Sequence, residues 1–159
     1  MGILTAVCSG AYQHPTCHRQ KVALLTVTNG VVRMEALLKI FAHAGDACFA
    51  IDQEQSILSW NKAAETLSGI TAEEAIGQPC WQILKGRTVA GRPFCGPNCP
   101  VFQALQQSRP LHAFDLLVAG PAQETLLTNI STLFVPADLS SSAVVIHLQR
   151  LSSALLPLV

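Results

Sequence analysis

Four short runs within residues 46–77 decide the fold: Ala-Cys-Phe-Ala-Ile-Asp at 47–52, Ile-Leu-Ser-Trp-Asn-Lys-Ala-Ala-Glu at 57–65, Leu-Ser-Gly at 67–69 and Glu-Glu-Ala-Ile-Gly at 73–77. The first run is mostly apolar, and Ser56 to Trp60 forms a second apolar run. The polar residues 52–55 join them. Because two such runs with a short polar link are typical of a β-hairpin, the sequence predicts paired strands here.

Helix signals follow this hairpin directly. Asn61 is a preferred N-cap residue and Gly69 a preferred helix stop, so the pair predicts a helix between them. Thr71 and Glu74 have the spacing of a capping box, which predicts a second short helix closed by Gly77. The chain is therefore expected to change from strands to short helices just after Trp60.

The flanking segments complete an α+β pattern. Upstream, an apolar stripe with helical spacing predicts a helix from Met34 to His43. Residues 78–99 are rich in Gly and Pro and are predicted to be irregular, while Pro100 suits the first position of another helix. Strand-like runs follow at 111–118, 125–135 and 142–148. Separate helical and strand blocks predict an α+β fold with an antiparallel sheet.

Composition narrows the possible functions. The 159 residues fit one domain, 50% of them are hydrophobic, and ten Lys and Arg balance ten Asp and Glu. Proteins that bind nucleic acid directly usually carry a basic surface, so the balanced charge argues against that class. No apolar run is long enough to cross a membrane, and the N-terminus lacks the basic start of a signal peptide. We therefore expect a cytoplasmic protein whose cysteines are free thiols or metal ligands.

The two ends of the chain differ from its middle. Residues 1–32 have little periodic apolar content, and we expect a poorly ordered N-terminal extension there. No metal-site spacing connects its four potential ligands, Cys8, His14, Cys17 and His18. The domain is expected at 33–150, followed by a tail at 151–159. Since no output segment is visible behind the domain, the expected output lies on another chain, unless the sequence is a fragment.

The order of these elements resembles the PAS domain family. The Asn61-Lys-Ala-Ala run would open the first internal helix of that family, and Gly77 would end the second. The resemblance covers residues 34–150 and implies a five-stranded antiparallel sheet with short helices on one face. It implies a cavity between sheet and helices for a small molecule or cofactor, and a signal-input role. The resemblance implies that the domain signals by dimerisation through the helix from Met34 to His43, or by contact with a separate output protein. The alternative is that this helix packs on its own sheet.

Two tryptophans are candidates for the wall of that cavity. Trp60 and Trp81 are predicted to contact a bound cofactor, with core packing as the alternative for Trp60. The sequence has no Gly-rich phosphate loop, and its five histidines are scattered. We therefore predict a protein that is not an enzyme.

A glycine- and proline-rich loop contains the candidate chemistry. Cys80, Cys95 and Cys99 fall within 20 residues, and Gly96-Pro97 allows a tight turn between the last two. Thiolates are ligands for zinc and for iron–sulfur clusters, so these three cysteines are candidate metal ligands. A closed zinc site needs a fourth ligand, for which the candidates are Cys48, a histidine such as His112, and an exogenous group.

The same loop resembles a cysteine-containing PAS subgroup of bacterial sensor kinases and transcription regulators. The matching positions are Cys80-Trp81, Gly86, Cys95 and Cys99-Pro100. That resemblance implies redox or metal sensing. A flavin photosensor is not expected, because Pro79-Cys80-Trp81 stands where light-sensing PAS domains have Asn-Cys-Arg, so the groups that would hold the flavin are missing.

Two other functions stay open. A cofactor-free protein-interaction domain would use its cysteines only as buried core residues. A thiol redox enzyme would be expected to carry Cys-x-x-Cys in a thioredoxin-like context, and this sequence has no Cys-x-x-Cys. Metal and sulfide analysis of protein purified without oxygen tests the first alternative, and a disulfide-reduction assay tests the second.

Overall fold

The computed structural model describes residues 34–107, 109, 111–137 and 143–152. In chain order the elements are α1 Met34–Ala42, β1 Ala47–Ile51, β2 Ile57–Trp60, α2 Lys62–Ser68, α3 Ala72–Ala75, α4 Cys80–Leu84, α5 Pro100–Gln106, β3 Phe114–Ala119, β4 Thr125–Val135 and β5 Val144–Leu151. The predicted N-terminal extension, with its Cys8, His14, Cys17 and His18, lies outside the described residues, as does most of the tail. Among the described helices, none is long and apolar enough to cross a membrane.

The five strands form one antiparallel sheet in the order β2-β1-β5-β4-β3. Phe49 on β1 pairs with Trp60 on β2, which confirms the predicted hairpin. The last strand, β5, lies between β1 and β4 and so joins the two ends of the domain in one sheet. The predicted α+β fold with a five-stranded antiparallel sheet is therefore confirmed.

A separate buried core lies on each face of the sheet, because successive side chains on a strand point to opposite sides. On the inner face, α2 to α5 cover a core that includes Phe49, Trp60 and Val145. On the outer face, α1 packs over a smaller core that includes Cys48 and Ile146. A residue on β1 or β5 therefore faces either the internal helices or α1, according to its place in the alternation.

The predicted helix caps are confirmed. The Asn61 side chain accepts a hydrogen bond from the Ala64 N–H, and Gly69 ends α2 in the left-handed conformation with φ 74°. Thr71 and Glu74 form the predicted capping box of α3. The C-cap of this helix is Ile76, one residue before the predicted stop at Gly77. Local side-chain chemistry thus determines where these short helices begin and end.

Three sequence predictions need correction. Residues 78–99 are not irregular throughout, because α4 forms between the N-cap Pro79 and the left-handed Lys85, φ 48°. The strand predicted at 111–118 begins only at Phe114, and β5 extends to Leu151, beyond the predicted end at 148. Pairing with β4 explains the extension, since hydrogen bonds to a neighbouring strand hold polar residues that a hydrophobic pattern does not identify as strand.

Candidate functional site

The first thiol of the candidate site lies at the start of α4. Cys80 is 6% exposed and belongs to the inner core of the sheet. Its backbone N–H donates to the Gln55 carbonyl oxygen at 2.9 Å, so the start of α4 is fixed to the turn between β1 and β2. The helix therefore presents this sulfur to the core and not to solvent.

The other two thiols lie on the loop that leads to α5. The Cys95 N–H donates to the Gly86 carbonyl oxygen at 3.1 Å, and the half-buried Cys95 side chain packs closely on Gly86. The predicted tight turn is present, because the Cys99 N–H donates to the Gly96 carbonyl oxygen at 3.2 Å. Cys99 is buried in the same inner core as Cys80.

The three thiols interact electrostatically. Burial raises the pKa of Cys80 to about 12, and negative charge on Cys99 and on Cys95 adds to that increase. Burial also raises the pKa of Cys95 to about 11, with a smaller contribution from Cys99. At neutral pH the thiols of Cys80 and Cys95 are therefore protonated. We call Cys80, Cys95 and Cys99 the three-thiol cluster.

The geometry of this cluster is not that of a formed metal site. Within the described residues, no group of three or more His, Cys, Asp or Glu side chains is arranged to hold a metal ion. The sulfur donors suit zinc or an iron–sulfur cluster chemically, but they would have to move into a common coordination shell. The predicted metal role of Cys80, Cys95 and Cys99 stays a prediction.

One candidate for a fourth ligand is wrong. Cys48 lies on the outer face of the sheet, in the core that α1 covers, whereas Cys80 and Cys99 lie in the core of the inner face. The sheet lies between Cys48 and the cluster, so Cys48 cannot bind the same metal ion as Cys80 and Cys99. The other candidate side chain, His112, is exposed. The four described cysteines, Cys48 included, are all free thiols.

A cavity of about 160 Å³ lies on the inner face next to α2 and α4. Its wall includes Trp60, Leu67, Ile83, Val118 and Gln149. The ring of Trp60 packs on Phe49 with centroids 5.3 Å apart, and its indole N–H donates to the Ile70 carbonyl oxygen at 3.0 Å. Trp60 is therefore both a core residue and a cavity residue. Trp81 lies half-buried on α4, and the residues lining this cavity do not include it; cofactor binding by either tryptophan stays a prediction.

The sequence analysis missed three buried polar residues near these sites. His147 stacks on Phe49 with ring centroids 4.4 Å apart, and neither ring nitrogen has a hydrogen-bond partner among the described residues. Burial lowers the pKa of His147 to about 3, so its ring is neutral. Gln149 donates to Thr128 Oγ1 at 2.9 Å, and Gln55 is buried in the β1–β2 turn. The sequence did carry a signal for His147, a polar residue within the predicted last strand at 142–148. Gln149 gave no such signal, because the predicted strand ended before it.

Comparison with known proteins identifies the architecture. The family model described as PAS fold matches residues 35–81. A domain of a sensory box sensor histidine kinase/response regulator from Geobacter sulfurreducens is 23% identical, with TM-score 0.54, and the match covers 73% of this chain and 91% of that one. The PAS domain of nitrogen regulation protein NR(II) from Vibrio parahaemolyticus is 14% identical, with TM-score 0.53, and the match covers 73% and 97%.

A third similar structure contains a bound molecule. It is the RpfR quorum-sensing receptor PAS domain of Cronobacter turicensis in complex with BDSF, 14% identical, with TM-score 0.54, and the match covers 70% of this chain and 97% of that one. No curated protein sequence is significantly similar to this chain. These matches do not distinguish the cysteine-containing subgroup, which stays a prediction.

Proposed function

Because this chain has a PAS fold, we propose that it is a sensory and signal-transduction module whose input is a redox or metal signal at the three-thiol cluster. The observation that carries the proposal is the placement of Cys80 and Cys99 in one buried core, with Cys95 on the loop that leads from α4 to Cys99. Core packing alone does not require three thiols within reach of one another, because other small apolar residues fill the same volume. The module is proposed to be cytoplasmic and not catalytic, and to act without direct contact with nucleic acid.

The redox form of this function needs only a pair of thiols to approach. Two cysteine thiols form a disulfide by releasing two protons and two electrons, and a low-molecular-weight disulfide that accepts them leaves as two thiols. Cys95 is the most exposed member of the cluster, so it is the proposed site of first attack. Its raised pKa makes this reaction slow at neutral pH, because the thiolate is the nucleophile.

The metal form uses the same residues with a zinc ion or an iron–sulfur cluster as the bound group. Three thiolates supply suitable soft ligands. The loop from Gly86 to Cys99 would have to bring the sulfurs closer together, because the described residues do not present a formed metal site. The redox form requires less rearrangement and is therefore the form that the geometry favours.

The output surface is proposed to be α1 and the outer face of the sheet beside it. No residue of α1 is fully buried, and the apolar side chain of Ile40 is 51% exposed. Leu133, on the outer face of β4, is 46% exposed. These apolar side chains would become covered by a second copy of the chain or by a separate output protein.

The experiment compares the parent chain with the triple variant Cys80→Ser/Cys95→Ser/Cys99→Ser, both purified without oxygen. Three properties are measured: the metal and sulfide content, the number of reactive thiols after treatment with oxidised glutathione, and the oligomeric state by light scattering. We expect the parent to hold metal or to lose two thiols, with a change in oligomeric state that the triple variant does not show.

Cys48→Ser is the matched control, since this buried thiol lies on the other face of the sheet. It should respond as the parent does. A parent that holds no metal, keeps all its thiols and melts at the same temperature as the triple variant would overturn the proposal in favour of a cofactor-free interaction domain.

A further inference from the structure

Gln55 occupies an unusual position in the turn between β1 and β2. It is 4% exposed, although glutamine is usually a surface residue. Its backbone is in the left-handed region, with φ 65°, where residues other than glycine are uncommon. A buried polar side chain on a strained backbone suggests that a specific contact requires this residue.

Two hydrogen bonds connect Gln55 to both parts of the three-thiol cluster. Its carbonyl oxygen accepts from the Cys80 N–H at 2.9 Å. Its side-chain Nε2 donates to the carbonyl oxygen of Pro97, which lies midway between Cys95 and Cys99 in the chain. One residue therefore holds the start of α4 and the cysteine loop at the same place.

The remaining polar atom of this side chain points to the same role. Gln55 Oε1 is buried and has no hydrogen-bond partner among the described residues. The bond from Nε2 to Pro97 fixes the orientation of the amide, so this oxygen stays available as an acceptor. Protonated thiols are weak donors, and the cluster supplies them close to the groups that Gln55 contacts.

Gln55 also lies at one end of a set of contacts that reaches α1. The hairpin that contains it is held at its other end by Asn61, whose Oδ1 accepts from the Cys48 N–H at 2.9 Å. Asn61 Nδ2 donates to the carbonyl oxygens of Asp46 at 2.9 Å and Ala44 at 3.1 Å, in the segment that follows α1. A displacement of the cysteine loop can therefore act on the hairpin that borders the proposed output helix.

We infer that Gln55 is the positioning residue of the three-thiol cluster, which holds Cys80 against the Cys95–Cys99 loop so that a Cys80–Cys99 disulfide can form. This inference rests on the redox form of the proposed function. The Cys95 thiol attacks oxidised glutathione and releases one reduced glutathione, and the Cys99 thiol displaces the second from Cys95. The Cys80 thiol then attacks Cys99 and returns Cys95 to the thiol, so the sum is two protein thiols and one oxidised glutathione giving one protein disulfide and two reduced glutathiones. A Cys95–Cys99 disulfide lies within one loop and does not depend on Gln55.

The test uses the full chain in glutathione redox buffers, with disulfides identified by mass spectrometry after alkylation. Gln55→Asn keeps a residue that tolerates the left-handed backbone but shortens the side chain, so it cannot reach Pro97 in the same way. We expect its equilibrium constant for Cys80–Cys99 disulfide formation to fall about tenfold, because the effective concentration of one thiol near the other falls. Gln123→Asn is the matched control, since Gln123 also has a left-handed backbone, φ 60°, but lies in the exposed turn between β3 and β4.

Gln55→Glu gives a second readout that a purely structural role would not move. It keeps the length of the side chain and places a carboxylate beside the cluster, which should shift the pH profile of Cys95 alkylation to higher pH. An unchanged disulfide constant in Gln55→Asn, in a parent that does oxidise, overturns the positioning role and leaves the proposed function standing. A parent that forms another disulfide of the cluster but no Cys80–Cys99 disulfide overturns this inference alone. A parent that forms no disulfide within the cluster overturns the redox form as well, while metal analysis still decides the metal form.

Discussion

The close contact between Gly86 and Cys95 gives the sharpest test of the cluster geometry. A β-carbon added at Gly86 would lie 2.8 Å from Cys95 Sγ and 3.1 Å from Leu116 Cδ1. Both distances are shorter than ordinary van der Waals contacts, and Leu116 is 2% exposed, so it has little room to move. The backbone of Gly86 does not have a positive φ, so the substitution Gly86→Ala tests packing without backbone strain.

The magnitude follows from two opposing effects. Overpacking a core typically costs about 1–3 kcal/mol. Replacing Gly by Ala stabilises a protein by about 0.4–1 kcal/mol where the backbone allows it, because the unfolded chain loses freedom. Gly96→Ala isolates this second effect, because it lies in the same loop, has no positive φ, and has open space around its would-be β-carbon. We therefore expect Gly86→Ala to be less stable than Gly96→Ala by about 1–3 kcal/mol in urea unfolding.

A double-mutant cycle assigns that cost to the thiol. Removing the sulfur with Cys95→Ala vacates the space into which the new methyl group points, so Gly86→Ala should cost at least about 1 kcal/mol less in that background. The contact with Leu116 remains and accounts for the residual cost. The reasoning is refuted if Gly86→Ala is as stable as Gly96→Ala, or if its cost is the same with and without the sulfur.

Three further predictions concern single residues. Asn61→Ala should destabilise the domain by more than about 2 kcal/mol in urea unfolding, because it removes the cap of α2 and leaves buried backbone groups unpaired; a loss below about 0.5 kcal/mol would contradict this. His147→Phe should raise the melting temperature, since it keeps the stack on Phe49 and removes two buried nitrogens without partners among the described residues; a lower melting temperature would show that the ring needs its polar atoms. Stability should fall as pH rises above about 9, because the folded-state pKa of Cys80, about 12, lies above the ordinary value of 9.0 and the folded chain keeps the proton; Cys80→Ala should reduce that slope, and an equal slope in both proteins would contradict it.

Much of the local structure was predictable because its causes are local. The N-cap at Asn61, the stop at Gly69 and the capping box at Thr71 each depend on a side chain and a backbone group a few residues apart. Two apolar runs with a polar link were sufficient to predict the β1–β2 hairpin for the same reason. Helix α4 escaped prediction because its sequence has no polar cap, and the contact from Cys80 to Gln55 that anchors it is not visible locally.

The candidate site was only partly predictable. Its three cysteines could be named from their spacing and from soft-ligand chemistry, but Cys48 was also a candidate in the sequence, as the fourth ligand. Only the alternation of β1 in the assembled sheet separates Cys48 from the cluster, because it turns that side chain toward α1. The burial of Gln55 likewise follows from packing of the cysteine loop against a turn 42 residues away in the chain.

The sequence by itself determined most of the element types, the caps of α2 and α3 and the antiparallel α+β class, and it named the three cysteines as candidate ligands. Periodicity and capping depend on interactions between residues that are close in the sequence, so the sequence alone is sufficient to predict them. The tertiary structure alone decided which thiols share a core, which polar residues lose their contact with water, and where β5 ends. These features depend on pairing between segments that are distant in the chain, such as β5 between β1 and β4. Such contacts stabilise the structure only when the whole sheet has formed.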